Sequence, residues 1–226
     1  MCHIINSNEQ ADERANACYH QPVMHTETRA ALKSLLTQRS LILGPITLSN
    51  GSQSDHYFDC KRTTLNSEGA WLVGEAVLHV IREELPEWPK AIGGLTHGAD
   101  PIVSSVIMRA REFGLHLDGF YVRQEPKKHG TRNLVENAPE PGSNIVIVDD
   151  VVTGGGSVLK AIDAALYVGC NILAVITLVD RLEGGGEKLR ARVDRYIPLF
   201  TLDDFRSEIE RCQENMIKSE LLSVGV

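Results

Sequence analysis

Asp149 and Asp150 stand side by side in the segment NIVIVDDVVTGGGSVL, Asn144 to Leu159, and a glycine-rich turn follows them. Two carboxylates next to each other can grip vicinal hydroxyls or a bridging cation. Thr153, Gly154, Gly155, Gly156 and Ser157 supply what a phosphate needs: amides free to converge where no Cβ bars positive φ, and two hydroxyls. A helix starting near Ser157 adds its positive end. A strand, a glycine turn and a helix are common in α/β proteins, so the turn alone reads equally as structure. The acids decide the matter, because beside a phosphate cradle they would repel the anion unless they served a second group. A sugar phosphate satisfies both. No Lys follows the glycines as in a Walker loop, and the ordered G-x-G-x-x-G of dinucleotide folds is absent.

Four other stretches carry suitable side chains. Arg123-Gln124-Glu125-Pro126-Lys127-Lys128-His129-Gly130 sits in a polar connection of the length that marks a lid or disorder. Its cations suit closure over a polyanion, or simply a solvated patch. Gly93-Gly94-Leu95-Thr96-His97-Gly98-Ala99-Asp100-Pro101 presents amides between a strand and a helix. There His97 reads as a ligand or as an exposed loop residue, and Asp100 more readily as a helix cap. Ser49 to Arg62 places Tyr57 and Phe58, whose rings offer flat faces or pack in a core, before Lys61 and Arg62. Asp180-Arg181-Leu182-Glu183-Gly184-Gly185-Gly186-Glu187 offers a guanidinium fork suited to a planar carboxylate.

The Asn144–Leu159 segment resembles the phosphoribosyl pyrophosphate signature of type I phosphoribosyltransferases. The other four stretches resemble loops of the orotate phosphoribosyltransferases. The resemblance spans about residues 30 to 205. It implies a central, mostly parallel sheet flanked by helices with a small N-terminal hood, and transfer of a phosphoribosyl group to orotate in pyrimidine synthesis. It assigns Asp149 and Asp150 to the ribose hydroxyls of phosphoribosyl pyrophosphate, Val151 and Val152 to binding of the same molecule, and Thr153 to Ser157 to its 5-phosphate. Arg123, Gln124, Lys127 and His129 fall to the pyrophosphate, with Lys127, Arg123 and His129 catalytic. Orotate would meet Thr153, Arg181, Tyr57 and Phe58. Magnesium (Mg2+) would share the leaving group's charge, held by ligand oxygens with no dedicated protein site, and active sites would be shared across a homodimer. The chain departs from the family pattern at Gln124, Ser49 and His97, positions where members carry Lys. A purine-type phosphoribosyltransferase and a non-catalytic regulator binding the same sugar phosphate are the alternatives.

Positioning these residues requires alternating strands and helices, and the pattern supplies them. Ile145 to Val148 suit a strand buried on both faces. Helical spacing of Leu32, Leu35 and Leu36 predicts a helix from Thr26 to Leu43, ending near Gly44-Pro45, with a hairpin turning at Asn50-Gly51. Asn66 or Ser67 caps a helix to about Leu85. Strands follow at Ala91–Leu95, Leu117–Val122, 171–179 and 195–200, with helices after Pro101 and at 157–168. Thr201 and Asp204 form a capping box for a last helix. Such alternation predicts an α/β fold with a parallel sheet.

At 226 residues the chain can bury one full core, read as a single domain over 26–226 after a flexible extension at 1–25; the hood covers about 26–65 and the mobile catalytic loop about 124–140. A net charge of -7 argues against general nucleic-acid binding. No apolar run is long enough for a membrane span, and no signal pattern opens the chain. Cys2, Cys18, Cys60, Cys170 and Cys212 lack paired spacing, which favours reduced thiols and a cytoplasmic location. Cys2, His3, Cys18, His20 and His25 match no compact zinc pattern.

Overall fold

The computed structural model describes residues 25–47, 53–125 and 134–223. The chain enters as α1 (His25–Arg39), whose Leu32 and Leu36 are fully buried. The helix stops at Arg39 rather than running on to Leu43. Leu41 to Leu43 extend instead, because β1 (Leu41–Thr47) finds an antiparallel partner in β2 (Gln53–Phe58), with Leu41 opposite Phe58 and Ile42 opposite Tyr57. Pairing satisfies backbone groups that helical continuation into Gly44-Pro45 would have left open. The expected turn at Asn50-Gly51 lies outside the described residues.

A single helical turn not anticipated from the sequence, α2 (Lys61–Thr64), leads into α3 (Ser67–Glu84). The Asn66 side chain caps α3 by accepting from Gly69 N–H at 3.1 Å. Next come β3 (Ala91–Leu95), buried throughout, and α4 (Ala99–Glu112), closed by Gly114 at φ +75°. They are followed by β4 (Asp118–Val122) and β5 (Val135–Glu136), the latter a short strand inside what the sequence reads as one polar connection. β6 (Asn144–Val152) passes through the glycine turn into α5 (Gly156–Tyr167). β7 (Asn171–Asp180), the unanticipated short α6 (Gly185–Arg190) and β8 (Tyr196–Thr201) complete the alternation. The Thr201/Asp204 capping box is present, but it starts a 3-10 turn, Leu202–Phe205, which then continues as α7 (Arg206–Ser223).

The main sheet has six strands in the order β5-β4-β3-β6-β7-β8, parallel except for β5, while β1 and β2 form a separate two-stranded sheet. One apolar cluster packs α1, α3, α4 and the two-stranded sheet on one face; the other packs α5 and α6 on the opposite face. β6 contributes to both, through Val146 and Val148 on one side and Ile145 and Ile147 on the other. That is why it reads as an unbroken apolar run. The carboxyl ends of β3, β6 and β7 meet along one edge, where ligands of such sheets bind. Among the described residues no helix is long and apolar enough to cross a membrane. Cys60, Cys170 and Cys212 are free thiols.

Candidate active site

β6 delivers Asp149 and Asp150 to that edge almost completely buried, 4% and 9% exposed. Each acid is held by the next backbone amide: Asp149 Oδ1 accepts from Asp150 N–H at 3.0 Å, and Asp150 Oδ1 from Val151 N–H at 2.9 Å. Burial, and then the Asp150 charge, push the Asp149 carboxyl up to about 7. Burial also raises Asp150, opposed chiefly by Lys61, whose ammonium lies 3.6 Å from Asp150 Oδ2. Lys61 therefore faces the acids, whereas Arg62 turns to Asp59 at 3.4 Å. Two costly carboxylates faced by the Lys61 ammonium among the described residues favour partners that donate, such as hydroxyls or a cation.

The acids have room only because Gly98 lacks a side chain. A Cβ there would lie 2.1 Å from Asp149 Oδ1 and 2.8 Å from Asp150 Oδ1. Val151 and Val152 bring main chain only to the site: Val151 packs against one core cluster, Val152 is buried in the other, and the Val152 carbonyl accepts from Arg181 N–H at 2.9 Å.

Beyond the acids the chain turns at Gly155, φ +80°, directly into α5 with no side-chain cap. The first amides of α5 therefore lack an internal acceptor and are open to an anion. A Cβ on Gly154 or Gly156 would meet nothing within 4 Å among the described residues, whose packing therefore does not require glycine at either position. Thr153 is exposed, and Ser157 holds the Asp149 carboxyl down against the effect of burial. The cradle rests on a second glycine turn: a Cβ on Gly185 would lie 2.3 Å from Thr153 O and 2.8 Å from Gly155 N. Lys188 Nζ donates to Gly154 O at 3.2 Å.

The loop after β3 borders the acids from the other side. Its Thr96–His97 peptide is cis, and the His97 side chain is 84% exposed with Nδ1 3.9 Å from Asp100 Oδ2. Asp100 does not cap α4. The N-cap is Gly98 in a helical conformation, which puts Asp100 inside the first turn, where its Oδ1 is buried without a partner among the described residues. Gln124 ties this loop to the start of the basic segment by donating from Nε2 to Thr96 O at 2.9 Å, while Lys160 Nζ donates to the Gln124 carbonyl. Arg123 pairs with Glu136 at 2.9 Å, and its buried Nε has no partner among the described residues. Lys127 and His129 lie outside the described residues.

Arg181, at the end of β7, is 5% exposed; it forms an ion pair with Glu183 Oε1 at 2.8 Å, and its Nε is buried without a partner among the described residues. Tyr57 and Phe58 divide on alternate faces of β2. Tyr57 is 37% exposed, but Phe58 is buried edge-on against Phe205, ring centroids 4.9 Å apart. The flat face expected of Phe58 is taken up by the core, leaving Tyr57 as the ring open to a ligand. Sequence reasoning missed Gly98, although its place between a strand end and a helix start was a signal. It also missed Tyr196, whose hydroxyl meets Asp180, for which the sequence carries none.

An open glycine turn at a helix start beside paired buried acids, at the edge of a parallel sheet, has the geometry a sugar-phosphate enzyme needs. The family model for the phosphoribosyl transferase domain matches residues 79–200. An orotate phosphoribosyltransferase of Rhodopirellula baltica is 40% identical over 182 residues, covering 79% of this chain and 94% of that one. Another, from Corynebacterium glutamicum, is 36% identical over 80% of this chain and 95% of its own. The crystal structure of the Mycobacterium tuberculosis orotate phosphoribosyltransferase with 5-phospho-alpha-D-ribosyl 1-diphosphate (PRPP) is similar, with a TM-score of 0.65 at 30% identity over 78% of this chain and 98% of that one. An adenine phosphoribosyltransferase of Leishmania tarentolae shares the fold alone, with a TM-score of 0.57 at 18% identity. The chain belongs to the orotate phosphoribosyltransferase family.

Proposed function

We propose that this enzyme transfers the phosphoribosyl group of PRPP to orotate, giving orotidine 5-phosphate and pyrophosphate in pyrimidine (UMP) synthesis. The observation that carries the reading is the placement, on neighbouring strand ends, of paired buried acids, an open glycine cradle and a buried guanidinium with an unpartnered donor. Thr153 to Ser157 bind the 5-phosphate and fix the sugar. Asp149 and Asp150 accept from the ribose hydroxyls and lie near the positive charge that grows as the anomeric C–O bond breaks. Arg181 receives the orotate carboxylate in a fork, with Thr153 and Tyr57 bordering the base. Arg123, Gln124, Lys127 and His129 are assigned to the departing pyrophosphate, with Lys127, Arg123 and His129 stabilising its charge.

The residues fit magnesium. Asp149 and Asp150 are paired buried carboxylates beside the glycine turn, and Mg2+ characteristically binds one or two carboxylates plus substrate phosphates. Asp149 or Asp150 would hold it together with ligand oxygens, and it would supply neutralisation of the leaving group. A homodimer sharing its active sites, in the cytoplasm, completes the proposal. The purine alternative is not favoured, since it leaves Arg181 without a carboxylate to meet. Pyrophosphate release should depend on orotate, PRPP and magnesium together. Release with adenine but not orotate would favour the purine enzyme, and no release at saturating substrates would favour the regulator.

A further inference from the structure

Asp180 is fully buried where β7 ends, and both its oxygens are engaged. Oδ1 accepts from Leu182 N–H at 2.8 Å; Oδ2 accepts from the Tyr196 hydroxyl at 3.0 Å. The Tyr196 oxygen lies 3.2 Å from Thr177 Oγ1. A carboxylate accepts, so the phenol donates to Asp180 and receives from Thr177. Burial pushes the Tyr196 phenol well above its ordinary range, so it keeps its proton at neutral pH. Its ring is pinned by the Arg190 guanidinium, 5.2 Å from the centroid, and by Gly186, where a Cβ would lie 2.3 Å from Asp180 Oδ2 and 3.2 Å from Tyr196 Cε1.

The other end of this relay shapes the residue beside Asp180. The bond from Leu182 N–H to Asp180 Oδ1 closes a tight Asx turn and holds Leu182 at φ +58°, a conformation that non-glycine residues adopt only when something imposes it. Within that turn Arg181 donates its N–H to Val152 O at 2.9 Å and keeps its side chain buried. A long flexible side chain held this way depends on its backbone for aim.

The geometry points to Tyr196 as a positioning residue for base recognition: its hydroxyl fixes Asp180, Asp180 fixes the Leu182 turn, and the turn aims the Arg181 guanidinium. The inference rests on the proposed contact between Arg181 and the orotate carboxylate. It joins β8 to the base site without Tyr196 touching substrate.

The test uses the intact enzyme with two substrates, orotate and uracil, which lacks the carboxylate. Tyr196→Phe removes one hydroxyl. It should raise the KM for orotate about tenfold, the scale of one hydrogen bond to a charged group, and lower the orotate-over-uracil preference by the same factor. The KM for PRPP should stay unchanged, which a general loosening of the fold would not allow. Equal rises in both KM values, or an unchanged orotate-over-uracil ratio, overturn the inference. Arg181→Ala in parallel separates it from its premise: if that variant keeps wild-type orotate KM, the base-carboxylate contact itself is wrong. If it loses orotate and Tyr196→Phe does not, only the positioning role fails. Should Tyr196→Phe not fold, Thr177→Val removes the outer hydroxyl of the relay and is read by the same ratio, with a smaller fall expected and no fall counting against the relay.

Discussion

Replacing Gly98 with alanine isolates the geometry of the paired acids. Gly98 has φ -66° and ψ -43°, which alanine adopts freely, so the backbone has no reason to resist. The added Cβ would lie 2.1 Å from Asp149 Oδ1, and reaching even 3.0 Å demands a movement of about 0.9 Å by difference. Asp150 Oδ1, 2.8 Å away, blocks part of the escape. Neither acid is a loose chain end: both are buried on a strand, and Asp149 Oδ1 is held by Asp150 N–H. A misplacement of about 1 Å in a reacting constellation costs on the order of 10²-fold, so kcat/KM for PRPP should fall by about that factor. Stability should fall by roughly 1–3 kcal/mol, the range for overpacking, which leaves the variant folded for assay. Pyrophosphate release with PRPP varied, beside thermal unfolding followed by circular dichroism, separates the two losses. A variant retaining kcat/KM within about threefold, less than 1 kcal/mol of transition-state binding, would show that the acids' placement does not govern the reaction.

Three further outcomes follow from the site. Gly154→Ala meets no atom of the described residues within 4 Å, so unfolding should be almost unchanged while PRPP affinity drops about tenfold or more; intact affinity would remove Gly154 from the proposed phosphate cradle. Asp149, raised to about 7, gives the unliganded protein a stability contribution fully present below the unfolded value near 3.8 and lost as pH rises through about 7. Asp149→Asn should therefore gain relative to wild type between pH 5 and pH 8 in urea unfolding, by roughly 2–4 kcal/mol, and an equal difference at both pH values would contradict the burial argument. Lys127→Ala should lower kcat far more than it weakens orotate binding, and matched losses would deny it a role centred on the transition state.

Much of the fold was legible because its signals are local. The apolar run of β6, the Asn66 cap and the Thr201/Asp204 box each lie within a few residues of the structure they specify. Short elements without such a signal, α2, β5 and α6, were missed, and α1 was read too long because helical spacing could not reveal that Leu41 would pair with Phe58. Asp100 misled for a related reason: an acid near a helix start resembles a cap until the helix start itself is fixed. The division between Tyr57 and Phe58 depends on which face of β2 meets Phe205, a residue far along the chain.

By itself the sequence determined the chemistry on offer at β6 and its turn, since paired acids, glycines and hydroxyls act together within sixteen consecutive residues, Asn144 to Leu159. The tertiary structure alone decided what surrounds them. Lys61 reaches Asp150, Gly98 makes room for both acids, Gly185 supports the cradle and Tyr196 anchors the turn that carries Arg181. These meetings depend on the order β3-β6-β7-β8, which sets strands from distant parts of the chain side by side. Local periodicity specifies each strand but not its neighbour, because the neighbour is chosen by the packing of the whole sheet.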